Sequence, residues 1–236
     1  MTADQTIGED IERVFDFLKY NFRRPDYHEL IVSPHSSRSR LIELIDREIA
    51  NARDGYRAVL FFKCNNLVDR QLTLKLYEAS QAGVQIQLIV RGMCSLLPGV
   101  KGISDNIRAI SIVDRFLEHP RVYIAHNRGE PEYYIGSGDL MTRNIDFRVE
   151  VLCPVYDKDA QTTIQTIMDQ QWHDNQKARI LDSKQNNEMV DSRGRATALR
   201  SQETIHRYLE TGKIPRMPKG VMRTPSIRRK KTQRPS

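Results

Sequence analysis

Two apolar runs, RAVLFFK at 57–63 and VQIQLIV at 84–90, flank an amphipathic stretch, VDRQLTLKLYEASQA, that stops at Gly83. Runs of this length without polar alternation predict strands buried on both faces, and the stretch between them predicts a helix. Strand, helix and strand in such close succession make a βαβ unit, whose parallel pairing takes a right-handed crossover. The chain is thereby confined to the α/β class, with helices against a sheet and any ligand expected beyond the carboxyl ends of the strands.

The flanking sequence extends that unit. Residues 7–22 place Ile7, Ile11, Val14, Phe15, Leu18 and Phe22 at helical spacing, with acids in the first turn suiting the dipole. LIVSP reads as a short buried strand ended by Pro34. Residues 36–54 predict a helix lined by Leu41, Leu44, Ile45, Ile49 and Ala52, capped by serines and closed by Gly55. Further strands are expected at 107–113, 121–125, 133–136 and 147–155, with NRGEPE as a hairpin turn. Between 113 and 118 a short helical or irregular turn is expected. A helix follows over 159–172, then a polar loop at 183–194 and a surface helix at 197–210.

With 39% hydrophobic and 28% charged residues, the chain has the composition of a soluble, core-forming protein. No apolar run approaches the ~20 residues of a membrane-spanning helix, and the polar, acidic opening is unlike a secretory leader. A cytoplasmic protein is expected. The three cysteines, Cys64, Cys94 and Cys153, fit neither a disulfide framework nor zinc-ligand spacing. The net charge of +7 is unevenly spread: nine Lys or Arg and no acid lie from Thr211 onward, leaving 28 Lys or Arg against 30 acids elsewhere. Phosphate chemistry in the folded part must therefore come from a few placed cations and not from a broadly basic surface.

Those cations fall in two places. Lys63 and Arg91 end the two strands of the βαβ unit, where each either marks emergence into water or faces an anion. Arg91 is followed by a glycine and a loop shaped by Pro98, Gly99 and Gly102. His119 and Arg121 open a later strand, and GSGDLMTRN returns with Asp139, Arg143 and Asn144 among small residues that let backbone N–H groups approach an anion. A histidine near neutrality can donate a proton to a phosphate oxygen or accept phosphate, and arginines bind its oxygens in pairs. Asp139 is equally readable as a turn residue, and Asp146 with Arg148 as an ordinary surface pair. His28 and His35 lie beside prolines, His173 ends a helix and His206 sits on a charged one; each reads as structural or solvent-facing, while His126, closing a strand, is readable either way.

The runs LIELIDREIANA, NNLVD, LYEASQAGV, LIVRGMCSLLPGV, GISDNIRAISIVDRFLEHPRVY and DLMTRNIDFRVEVL resemble the C-terminal part of bacterial polyphosphate kinases of the type built from two phospholipase D-like domains. The resemblance runs from Thr2 to Ile180 and on to about Arg207. It implies an α/β phospholipase D-like domain, a mixed sheet flanked by helices, over 29–180. Residues 1–28 would be a helical segment continuing from an upstream domain, 181–210 a polar loop and surface helix, and 211–236 a disordered basic tail.

The resemblance further implies reversible transfer of the ATP γ-phosphate to polyphosphate through a phosphohistidine, with Mg2+ entering on the nucleotide. His119 would be the second active-site histidine, and Arg91, Arg121, Arg143, Asn144 and Lys63 the nucleotide- and phosphate-binding set. The His119-Pro-Arg121 spacing looks like a degenerate His-x-Lys phospholipase D motif. Two departures stand out. Gly136-Ser137-Gly138-Asp139-Leu140-Met141 replaces the family's Ser-Ser-Ala-Asp-Trp-Met, and the phosphorylated histidine belongs to an upstream domain that this sequence does not match. The expectation is thus a half-site that needs an upstream half or self-association. The alternatives are a phospholipase D-like phosphodiesterase with His119 as nucleophile, and a non-catalytic remnant binding polyanions through its tail.

Overall fold

The computed structural model describes residues 2–190, 197–214 and 216. In chain order these form α1 (Gln5–Lys19), β1 (Ile31–Val32), α2 (Ser37–Arg53), β2 (Val59–Cys64), α3 (Arg70–Gln81), β3 (Gln85–Val90), β4 (Ile107–Ile112), β5 (Arg121–Ala125), β6 (Glu132–Gly136), α4 (Thr142–Asp146), β7 (Val151–Pro154), α5 (Lys158–Trp172), β8 (Ala178–Leu181) and α6 (Ser201–Thr211). The strands make one mixed sheet in the order β1-β7-β6-β5-β2-β3-β4-β8. The expected βαβ unit lies at its centre: β2 and β3 pair in parallel from Val59↔Gln85 to Cys64↔Val90, and β4 continues in parallel. The remaining pairs are antiparallel.

The uninterrupted apolar run of β2 is explained by its two covered faces. Leu60, Phe62 and Cys64 join the core under α2 and α3, with Leu44, Ile45, Leu72 and Leu76. Phe61 faces the other way, edge-on to Trp172 of α5. Each fully buried Leu or Phe contributes ~1.5–3 kcal/mol, so this central strand organises both layers. Asp69 caps α3 by accepting from Leu72 N–H at 3.0 Å, and Gly83 ends it at φ 101°.

Several expectations are corrected. The predicted stripe of α1 is rotated: Ile7, Val14 and Phe17 are buried, whereas Ile11, Phe15, Leu18 and Phe22 are exposed. The cause is Asp10, fully buried, whose carboxylate accepts from the N–H groups of His28, Glu29 and Leu30 at 2.9, 2.7 and 3.0 Å. This clamp turns the Asp10 face inward. The first turn of α1 holds no acid, and Asp4 caps it instead. Ser36 precedes α2 without capping it, because its hydroxyl is engaged with Val32.

The expected strand 147–155 is confined to Val151–Pro154, since α4 occupies 142–146; α4 and β8 are additions to the sequence reading. The polar segment lies partly, and the basic tail almost wholly, outside the described residues. Among the described residues no helix is long and apolar enough to cross a membrane.

Candidate functional site

Beyond the carboxyl ends of β2 and β3 the chain leaves the sheet through Asn65, Asn66 and Arg91, and β5 enters it at Arg121 alongside the end of β6 at Gly136. Their loops are stitched together. Leu67 bridges both Cys94 and Leu140, and Leu140 N–H donates to Asn66 C=O at 3.1 Å. A cleft of 430 Å³ opens at this edge, gathering Arg91, His119, Arg121, Asp139, Arg143 and Asn144. Asn65, Asn66, Ser137, Arg148 and Glu150 complete it.

Asp139 is the hub of the wall. It is buried, and its oxygens accept from Asn65 N–H at 2.8 Å, Asn66 Nδ2 at 3.0 Å and two nitrogens of Arg121 at 3.0 and 3.2 Å. Burial alone would raise its carboxyl pKa, but the bonds from Arg121, Asn65 and Asn66 outweigh it and hold the group below the ordinary carboxylate range. The turn-residue alternative for Asp139 is therefore replaced by a structural carboxylate that fixes Arg121.

Arg121 in turn fixes His119. Its Nη1 lies 2.7 Å from His119 Nδ1 and donates to His119 C=O at 2.8 Å. The same Nη1 lies 3.4 Å from Nε2, so the guanidinium packs against the ring near both nitrogens, and either of them can carry the proton. His119 itself is exposed to the cleft side. It is set to offer an N–H to an anion.

Arg91 emerges from β3 with its Nε on Asn65 Oδ1 at 2.8 Å, leaving the two terminal nitrogens for a ligand. Arg143 is exposed and makes no ion pair among the described residues. Asn144 is buried, with Nδ2 donating to Glu150 at 2.6 Å and Oδ1 without a partner among the described residues. Asn65 Nδ2 is likewise unpartnered. In all, four arginines and one histidine face two carboxylates, Asp139 and Glu150, an excess of positive charge that selects for anions.

Lys63 departs from expectation. It does not line the cleft but is buried toward α5, where its ammonium donates to Gln171 Oε1 at 2.8 Å and pairs with Glu118. Burial pushes its pKa down and Glu118 opposes the shift. The reason is strand alternation: Lys63 shares the Phe61 face of β2, which α5 covers. Arg148 also moves, since Asp146 pairs with Arg38 at 2.6 Å and Arg148 is free to join the cleft. Glu150 and Ser137 were not legible as site residues, because only the β6–β7 pairing brings them to the edge.

The altered Gly-Ser-Gly-Asp-Leu segment has local consequences. A Cβ at Gly136 would lie 2.0 Å from Val151 C=O, so β7 sits closer here than the serine of the resembling motif would allow. Leu140, in place of the family's tryptophan, is buried in the main core.

The family described as polyphosphate kinase C-terminal domain 2 matches residues 30–202. The polyphosphate kinase of Vibrio parahaemolyticus is 49% identical over 210 residues, covering 89% of this chain and 30% of its own length. That of Escherichia coli K12 is 47% identical over 211 residues, with the same coverage. The crystal structure of polyphosphate kinase from Porphyromonas gingivalis superposes with a TM-score of 0.85 at 39% identity, covering 89% of this chain and 32% of that one. The chain thus spans about 30% of the length of the curated relatives it matches.

Proposed function

The chain belongs to the polyphosphate kinase C-terminal domain 2 family, and from that premise we propose that its cleft is one half of a phosphoryl-transfer site. The reaction is ATP + polyphosphate(n) = ADP + polyphosphate(n+1), run reversibly. The phosphohistidine that relays the group belongs, in this reading, to sequence that the longer relatives carry. The observation that supports it is the convergence of Arg91, His119, Arg121, Arg143 and Arg148 on one cleft holding only two acids.

Phosphoryl transfer asks little covalent chemistry of a protein and much charge placement. Arg91 and Arg143 would bind the outer oxygens of the transferring group. His119, as an imidazolium, would donate a hydrogen bond to a phosphate oxygen and pass that proton on as charge develops on the leaving oxygen, being left as neutral imidazole. Asn65 Nδ2 would add a donor to the contacts, while Asn144, whose Nδ2 is held by Glu150, would shape the wall beside them. Among the described residues no group of three or more His, Cys, Asp or Glu is placed to hold a metal ion. Magnesium would enter on the nucleotide phosphates, and the cytoplasm is the compartment that this reading assigns to the reaction.

A phosphodiesterase with His119 as nucleophile is the weaker reading. Attack needs a free ring lone pair facing the phosphorus, whereas Arg121 Nη1 sets a positive charge 2.7 Å from Nδ1 and 3.4 Å from Nε2, which lowers the nucleophilicity of the ring. Luciferase-detected ATP formation from ADP, magnesium and polyphosphate tests the proposal, using the chain alone and mixed with the remaining segment of a relative. Activity in the mixture, lost in His119→Ala and Arg91→Ala, is expected. Hydrolysis of a phosphodiester without nucleotide would instead establish the second reading.

A further inference from the structure

His119 ends a loop, residues 113–120, with no regular structure, and its apolar side chains Val113, Phe116 and Leu117 are exposed. A segment with so little buried area does not hold an imidazole in place by its own packing. Arg121 holds His119 itself, and the start of α6 holds the residues before it. Arg200 grips Asp114 with two nitrogens, Nε to Oδ2 at 2.8 Å and Nη2 to Oδ1 at 2.7 Å. The Gln202 amide pairs with both backbone groups of Phe116, accepting from its N–H at 2.9 Å and donating to its C=O at 2.8 Å. The same Nε2 reaches Glu118 Oε1 at 3.1 Å.

The three attachment points, Asp114, Phe116 and Glu118, are alternate residues of one short segment leading directly into His119. Glu118 is held from beneath as well, by the buried Lys63 ammonium and the Gln171 amide. The start of α6 is anchored separately, because Asp174, fully buried, accepts from Ser201 N–H and Oγ at 2.7 Å each. It is a fixed wall on which the loop is moulded.

We propose that Arg200 and Gln202 are positioning residues for His119, acting across the sequence gap through the 114–118 segment. The inference deepens the reading of His119 as a phosphate ligand and rests on it for its functional meaning. Both side chains are chemically matched to what they hold, since an amide offers an acceptor and a donor to a peptide N–H and C=O together, and a guanidinium meets a carboxylate at two points.

The test is imidazole NMR of the whole chain with labelled histidine, the His119 signal being assigned by its absence in His119→Gln. In ligand-free protein a sharp His119 signal is expected, broadened and displaced in Gln202→Leu and Arg200→Met, and only partly recovered in Arg200→Lys, which keeps the charge and loses the two-point grip. With inorganic tripolyphosphate as probe, the two disruptive variants should bind about tenfold more weakly while circular dichroism and Trp172 fluorescence stay as in the parent. A His119 signal unchanged in both variants overturns the inference. Should either fail to fold, Gln202→Glu, which keeps the size and loses the donor, is judged by the same signal. If the parent binds no tripolyphosphate, the proposed function fails, and the ligand-free spectra still decide whether α6 positions His119.

Discussion

Arg121 holds Asp139 at two points, Nε to Oδ1 at 3.0 Å and Nη2 to Oδ2 at 3.2 Å, while its remaining nitrogen meets His119 Nδ1 at 2.7 Å. One planar group thus joins a buried carboxylate to the exposed imidazole, a geometry that lysine cannot reproduce. Arg121→Lys keeps the charge and loses the fork. It is expected to lower unfolding free energy by about 1–3 kcal/mol, as for a buried hydrogen bond left unmade. Tripolyphosphate affinity should fall more steeply than in a control substitution at an exposed arginine, Arg70→Lys. Urea denaturation and calorimetric titration would measure the two effects; unchanged affinity would remove Arg121 from the site.

Acid should loosen the same region from its other side. Arg38 bridges Asp69, at 2.9 Å from Nη1 and Nη2, and Asp146, at 2.9 and 2.6 Å, while Thr142 Oγ1 donates to Asp69 at 2.8 Å. These bonds fasten α4, with Arg143 and Asn144, onto α2 and α3. Burial would raise the Asp69 carboxyl, but Arg38, Leu72 N–H and Thr142 bring it from 3.8 to about 2. Because the folded value is depressed, the unfolded chain binds the proton first. The stabilisation is complete above pH ~4 and lost as pH falls through ~2, amounting to about 2 kcal/mol. Asp139 and Asp10 shift the same way. Urea unfolding at several pH values should show this decline, and Asp69→Asn should flatten part of it.

The legible parts of the molecule were those written in local pattern. The βαβ unit, the Gly55 and Gly83 stops and the His119–Arg121 strand start all follow from periodicity and punctuation within a few residues. What escaped depends on contacts across the chain. No local signal announces that Asp10 will accept three N–H groups some twenty residues on and turn α1 by that contact. Nor does Lys63 reveal its side of the sheet until α5 brings Gln171 beneath it. Arg148 reached the cleft because a distant residue, Arg38, took Asp146 away.

Lys63 offers a direct separation of structure from binding. Its pair with Glu118 is largely buried, and removing one partner of a buried pair leaves the other charge uncompensated, at a cost of about 3–5 kcal/mol. Lys63→Met should therefore destabilise strongly, whereas Lys63→Met combined with Glu118→Gln should recover much of the loss. A double-mutant cycle by urea denaturation gives the coupling. The double variant should keep affinity for tripolyphosphate within a few fold if Lys63 contacts no phosphate; a loss matching that of Arg91→Ala would return Lys63 to the binding set.

Two features of this chain carry the positive charge that a polyanion would meet, and length and salt separate their contributions. Residues 217–236 carry seven Lys or Arg and no acid, and such a segment binds by releasing counterions along an extended partner, with affinity falling steeply with salt. The cleft is small and its arginines are placed, so it should select a short phosphate chain by geometry as well as charge. Deleting 217–236 is expected to leave tripolyphosphate affinity unchanged, while long-chain polyphosphate binds more weakly and with a shallower salt dependence. Arg143→Ala should do the reverse, weakening tripolyphosphate by about 1–2 kcal/mol, the loss of one charge-assisted contact. Titrations of both ligands at two salt concentrations make the comparison. Loss of tripolyphosphate binding on deletion would move the site to the tail, and with it the whole reading from catalysis to polyanion capture.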